Sequence, residues 1–148
     1  MLSKKAKYAI KALLALAEHG SEEPMRIADL AREEHIPPKF LELILLVLKN
    51  HGILQSRKGK GGGYLLGRDP KDIFLGQIVR MFDGPLAPVP CASQTAYVRC
   101  ADCRDEAICA VRLAMKEVRD ATAKILDGTS IAALQQKIST SRAPQPTE

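Results

Sequence analysis

Between Lys4 and Glu18, apolar residues recur every three or four positions. Ala6, Ile10, Leu13, Leu14 and Ala17 form the stripe, which predicts an amphipathic helix over 4–18. His19-Gly20 ends it. After a polar turn, residues 26–34 place Ile27, Leu30 and Ala31 on one helical face. His35-Ile36-Pro37-Pro38 breaks the pattern, because proline fixes φ and disfavours helix in the residue before it. Proline is tolerated in a first turn, so Pro38 opens a third helix over 38–50, closed by His51-Gly52. Two helices joined by a tight turn make a helix-turn-helix. Residues 53–57 and 64–67 are short β-compatible runs, and the glycines between them predict a hairpin. Residues 75–82 (LGQIVRMF) read as a brief helix packing back on these elements.

The second half has a different rhythm. Asp83–Pro90 carries three prolines, which places a boundary near residue 84. Residues 105–126 then read as one long helix ended by Asp127-Gly128. Ile108, Val111, Met115, Val118, Thr122 and Ile125 alternate spacings of three and four, a heptad seam that suits a partner helix better than a single core face. Packing on the chain's own domain is the alternative. Thr129 or Ser130 can cap one more short helix over 131–137. The tail, 139–148, is rich in Pro, Ser and Thr and is expected to be disordered. The fold class is therefore mostly α with a small β-hairpin wing. Residues 1–83 form a winged helix-turn-helix DNA-binding domain, 84–104 a cysteine-containing sensor loop, and 105–138 a dimerisation helix with a short terminal helix.

Composition narrows the functions this fold could serve. At 148 residues the chain can bury a real core. No stretch approaches the roughly 18–20 apolar residues that cross a bilayer. The basic start lacks a small-residue cleavage site, and Lys7, Lys11 and Glu18 interrupt its apolar run, so a mature helix and a cytoplasmic protein are expected. Residues 1–80 hold 14 Lys and Arg against 9 Asp and Glu, while residues 81–148 hold 8 of each. The whole net charge of +5 thus lies in the first half, where a polyanion would dock.

The hairpin tip concentrates that charge. Gly59 and Gly61–Gly63 let the backbone approach a surface, and Arg57, Lys58 and Lys60 supply positive charge for phosphates or a narrow minor groove. Gly61, Gly62 and Tyr64 complete the expected wing contact. A dinucleotide-binding glycine loop is excluded, since no helix N-terminus follows to hold a pyrophosphate. A flexible basic turn remains the plain alternative. The helix 38–50 would lie in the major groove, with Lys39 and Glu42 near the bases; Glu42 suits a cytosine amino group. Leu43, Leu46 and Val47 are more apolar residues than one core face needs, which leaves some of them for thymine methyls or the adjoining helix.

All four cysteines, Cys91, Cys100, Cys103 and Cys109, fall in one short stretch. In a cytosolic chain such a group means metal or redox chemistry more often than structural disulfides. Four thiolates complete an iron–sulfur cluster or a tetrahedral zinc site. Zinc favours two close pairs, and only Cys100–Cys103 has that spacing. Cys109 opens the long helix, where the dipole favours an anion. A thiol redox switch, or inert cysteines, stays open.

The pattern Lys7-Tyr8-Ala9-Ile10-Lys11-Ala12-Leu13, then Ile27-Ala28, Phe40-Leu41-Glu42, Gly52-Ile53-Leu54, Gly61-Gly62-Gly63-Tyr64 and Ile78-Val79-Arg80, resembles the Rrf-two family of bacterial transcription regulators. The likeness runs through the cysteine loop to Leu134. It implies a dimeric winged-helix repressor or activator. In many members it also implies an iron–sulfur cluster on three loop cysteines, sensing cluster supply, iron, nitric oxide or redox state. Cys91, Cys103 and Cys109 match those ligands, although the gap before Cys103 is longer here. The usual fourth ligands are replaced: Arg112 stands where one branch has a histidine, and Lys7-Tyr8 where another has an acidic residue. Cys100 is the natural substitute, with His35 a remote one. Glu42 matches a base-reading glutamate, and Lys58 stands where relatives carry a wing arginine.

The resemblance and the residues together lead to one expectation. It is a homodimer on a double-stranded DNA operator, tuned by an iron–sulfur cluster (2Fe-2S or 4Fe-4S) on these four cysteines. No enzymatic activity, membrane or small-molecule substrate is expected. A cluster-free thiol-based or partner-dependent repressor of the same fold is the alternative, and an iron–sulfur electron carrier or enzyme a remote one.

Overall fold

A computed structural model describes residues 2–142. Helix α1 (Lys4–His19) is capped by the Ser3 hydroxyl, which accepts the Ala6 N–H at 3.1 Å. Its most buried face is Ala6, Ala9, Ala12, Leu13 and Leu16, rotated from the expected stripe so that Ile10, Leu14 and Ala17 pack at the margin. Alanines on the inner face let neighbouring helices come close, and α1 is touched by α2, α3, α4, α6 and the hairpin. It is the hub of the fold.

Helix α2 (Ile27–Glu34) ends in His35, whose φ of 55° makes it the one non-glycine residue with positive φ among those described. Helix α3 (Pro38–Asn50) begins on its proline as expected and buries Leu41, Ile44, Leu45 and Leu48. Strands β1 (Leu54–Arg57) and β2 (Gly63–Leu66) pair antiparallel, with Leu54 opposite Leu66 and Arg57 opposite Gly63. Ile53, expected within the first strand, instead lies fully buried before it. Met25 extends the hairpin by exchanging two 2.8 Å backbone hydrogen bonds with Tyr64. Helix α4 (Leu75–Asp83) returns to pack on α1.

The C-terminal elements depart from expectation in two ways. Helix α5 runs Ala110–Asp127 and not from residue 105. The Asp105 carboxylate accepts the Ala107 N–H at 2.9 Å, a local turn that competes with helix, so Cys109 becomes the N-cap. Ile108 therefore precedes the helix, and five of the six seam residues lie within it. Helix α6 (Ile131–Arg142) is longer than expected, taking residues 139–142 out of the tail assumed to be disordered. The hydroxyls of Ser139, Thr140 and Ser141 donate to carbonyls one turn back at 2.9–3.0 Å, which satisfies them inside a helix. Residues 143–148 of that expected tail lie outside the described residues.

Ile131, fully buried, belongs to the same core as α1–α4. Its N–H donates to Ile73 at 2.8 Å, and the Leu75 N–H donates to Thr129 at 2.9 Å. The chain thus comes back to its N-terminal half after α5. Helix α5 itself buries no residue completely.

Candidate nucleic-acid interface and cysteine cleft

The core-facing residues of α3 leave Lys39 and Glu42 exposed near its N-terminus. At the wing, Arg57, Lys58, Lys60 and Gly61 are also exposed. Arg57 donates to the Glu22 carbonyl at 3.4 Å. Among the described residues, Lys58 and Lys60 form no ion pair. Their charge is free for a ligand.

Gly62 and Tyr64 have a different place. A Cβ on Gly62 would stand 2.3 Å from the Arg57 carbonyl oxygen, and the Gly62 N–H closes the turn onto Gly59 at 3.0 Å. Tyr64 is half-buried against the core. Both shape and seat the wing, while the exposed basic residues present its charge.

The four cysteines line one cleft of about 430 Å³, with Val89 and Val111 among its apolar walls and Arg104 and Arg112 among its charged ones. Cys91 is buried, Cys103 and Cys109 are half-buried, and Cys100 is exposed. No disulfide joins them. Cys91 lies in a short 3-10 turn, Pro90–Ala92, that α5 holds from below. Arg112 Nε donates to the Cys91 carbonyl at 3.0 Å, and Arg119 donates to the Ala92 carbonyl. Arg119 is largely enclosed, its side chain 12% exposed, and pairs with Asp120 at 2.6 Å. At the other wall, the Cys103 N–H donates to Cys100 at 3.2 Å. The negative charge of Asp102 pushes the Cys100 thiol above its ordinary range, with loss of hydration and an Asp102 hydrogen bond adding to it.

By residue type, the donor set is one that iron–sulfur clusters take. Four cysteines line one space, with Arg104 and Arg112 beside them to offset thiolate charge. Two thiolates on a single zinc ion stand no more than about 4.6 Å apart, twice the Zn–S bond. Among the described residues no three Cys, His, Asp or Glu side chains stand close enough together to hold a metal ion. His35 caps α2 and is not among the residues lining the cleft.

Sequence reasoning assigned Arg112 no structural task and overlooked Arg119. The signal was available: the two are seven residues apart, so they share one face of α5. That same helix is tied to the DNA-binding half. Arg80 of α4 grips Asp127 through two hydrogen bonds of 2.6 and 2.9 Å.

A helix-turn-helix followed by a glycine-tipped hairpin with free basic side chains defines a winged-helix DNA-binding transcription regulator. The chain belongs to the Rrf2 (Rrf-two) family, whose model, described as an iron-dependent transcriptional regulator, matches residues 2–137. An rrf2-like HTH-type regulator of Rhodobacter capsulatus is 44% identical over 121 residues, covering 80% of this chain and 81% of the relative. The solved structure of CymR (YrzC), the global cysteine regulator of B. subtilis, superposes with a TM-score of 0.76 at 28% identity, covering 93% and 97% of the two chains. That of T. potens IscR gives 0.76 at 23% identity, covering 98% and 93%, a likeness of fold. The Rhodobacter and B. subtilis relatives are named as regulators, and the family is not enzymatic. Among the described residues no helix is long and apolar enough to cross a membrane.

Proposed function

We propose that the protein is a homodimeric regulator whose grip on a near-palindromic operator is set by an iron–sulfur cluster on Cys91, Cys100, Cys103 and Cys109. The observation that carries this reading is the single cleft that all four cysteines line. Lys39 and Glu42 of α3 serve base and phosphate contact in the major groove, and Arg57, Lys58 and Lys60 serve phosphate contact at the wing.

Bound in the cleft, the cluster supplies a link between the thiolates that depends on redox state and iron supply. The chain's own residues then carry the effect. Arg112 and Arg119 hold the carbonyls beside Cys91 against α5, and Cys109 caps that helix. Through Arg80 and Asp127, α5 is joined to α4 and so to α1. A loop fixed at Cys91 and Cys109 constrains α5; a freed loop relaxes it, and the spacing of two recognition helices in a dimer changes with it.

A cluster-free thiol sensor is the second reading. Exposed Cys100, three residues before Cys103 and joined to it by a backbone hydrogen bond, favours it. Anaerobic iron and sulfide assays with absorption spectra separate the two. Wild type is expected to hold iron and sulfide with charge-transfer absorption, and Cys100→Ala to lose most of it. Operator affinity at fixed salt should differ several-fold between cluster-loaded and cluster-free protein. Colourless, iron-free wild type would leave the thiol reading.

A further inference from the structure

At about 100° per residue, the exposed positions of α3 fall in one arc of roughly 120°. Past the opening Pro38, they are Lys39, Glu42, Leu43, Leu46, Lys49 and Asn50. The opposite arc holds Leu41, Ile44, Leu45 and Leu48, all fully or almost fully buried. The stripe has charge at both ends and two leucines at its centre. Leu43 is 60% exposed and Leu46 46%. Being three residues apart, they adjoin on the helix surface.

An isolated exposed leucine needs no explanation. Two adjoining ones on the outward stripe of the second helix of a helix-turn-helix are a different matter, because that stripe is what enters the major groove. Neither side chain belongs to the buried core. The major-groove edge of a base pair offers one apolar group, the C5 methyl of thymine. Lys39 and Lys49 flank the leucines, and Lys58 and Lys60 stand free at the wing, so the surroundings match a polyanion and not an apolar protein partner.

We infer that Leu43 and Leu46 are specificity-determining residues that read thymine methyl groups in the operator half-site. Glu42 supplies the one directional base contact near them, accepting from a cytosine amino group. Half-sites are therefore selected by thymines placed beside a cytosine, with affinity supplied mainly by phosphate contacts. This rests on the DNA-binding reading above, and the test separates the two.

Selection from random-sequence duplexes, with full-length protein purified anaerobically, yields the half-site. Each of its thymines is then replaced singly by deoxyuridine, which lacks only the C5 methyl. One or two positions per half-site should each lose about four-fold in affinity, the worth of one buried methyl-sized group. The penalty should vanish in Leu43→Ala or Leu46→Ala, which remove exposed side chains and leave the core intact. Lys58→Ala serves as the contrast: it should weaken binding to all sequences while keeping the deoxyuridine penalty.

Absence of any penalty, or an equal penalty in wild type and both leucine variants, overturns the inference and leaves DNA binding standing. So does a leucine variant that binds the operator as before but changes oligomeric state, which would assign this face to a protein contact. Failure to bind any duplex even at low salt removes the DNA-binding reading and the inference with it.

Discussion

At the residue scale, the glycine run of the wing shows how similar neighbours carry different demands. Gly59 and Gly61 have φ of 93° and 79° with open space around them, so they serve the turn by conformation alone. A Cβ on Gly63, in contrast, would lie 2.3 Å from the Met25 carbonyl oxygen. That contact belongs to the bridge that seats the wing on the segment before α2. Gly63→Ala should therefore cost on the order of 1–3 kcal/mol of stability, read from the urea midpoint at unchanged slope. It should also weaken operator binding, because the wing is displaced. An unchanged midpoint would mean that the bridge yields at no cost. The sequence marked all these glycines as turn formers, but a close approach between Gly63 and Met25 depends on two segments meeting.

At the element scale, the join between α4 and α5 is the contact through which the proposed signal from the cysteines would reach the N-terminal half. Arg80 and Asp127 form it, side by side with Gly76, where a Cβ would strike the Asp127 carboxylate at 1.8 Å. The hydrogen bond from Arg80 holds the Asp127 carboxyl below the usual carboxylate range. A depressed carboxylate contributes stability above its unfolded pKa, about 3.9, and loses it as pH falls through the lower folded value. Both side chains are partly exposed, so solvent screens the pair and the effect is small. Asp127→Asn should flatten the acid limb of the Tm-against-pH curve below about pH 4. It should leave Tm above pH 5 only slightly reduced. A variant with the same acid limb as wild type would show that the pair does not couple the two helices. The long helix itself was legible from its periodicity. Its first turn was not, because Asp105 hydrogen-bonds locally where the apolar pattern alone continues the helix.

At the scale of the whole molecule, α5 is an 18-residue helix with no residue fully buried in its own chain. Arg112, Met115, Arg119, Thr122 and Leu126 face inward and are half-buried, while Val111, Val118 and Ile125 are 63%, 45% and 66% exposed. So large an apolar stripe on a regular helix calls for a partner surface. The proposed homodimer supplies one by pairing the α5 helices of two chains. Val118→Asp with Ile125→Asp should turn a dimer into a folded monomer in sedimentation experiments, since neither side chain supports the core. Operator affinity should fall with it, because two half-sites are then bound independently. A dimer that survives both changes would place its interface elsewhere.

Some features of this protein follow from the sequence by itself. The order of elements, the helix-turn-helix, the hairpin with its basic tip, the grouping of the cysteines and the existence of a long C-terminal helix are all of this kind. Each rests on a signal contained within a few neighbouring residues: an apolar period, a proline at Pro37 or Pro38, a glycine run, a spacing. Only the tertiary structure decided that α6 closes on the N-terminal core through Ile131 and that Arg112 and Arg119 hold the backbone beside Cys91. It also decided that the four cysteines line one cleft and that, of the apolar residues surplus to the α3 core face, Leu43 and Leu46 stay exposed while Val47 is half-buried. These depend on which distant segments meet. Local periodicity says which face of a helix is apolar, but the burial of that face is set by the neighbours that the rest of the chain brings to it.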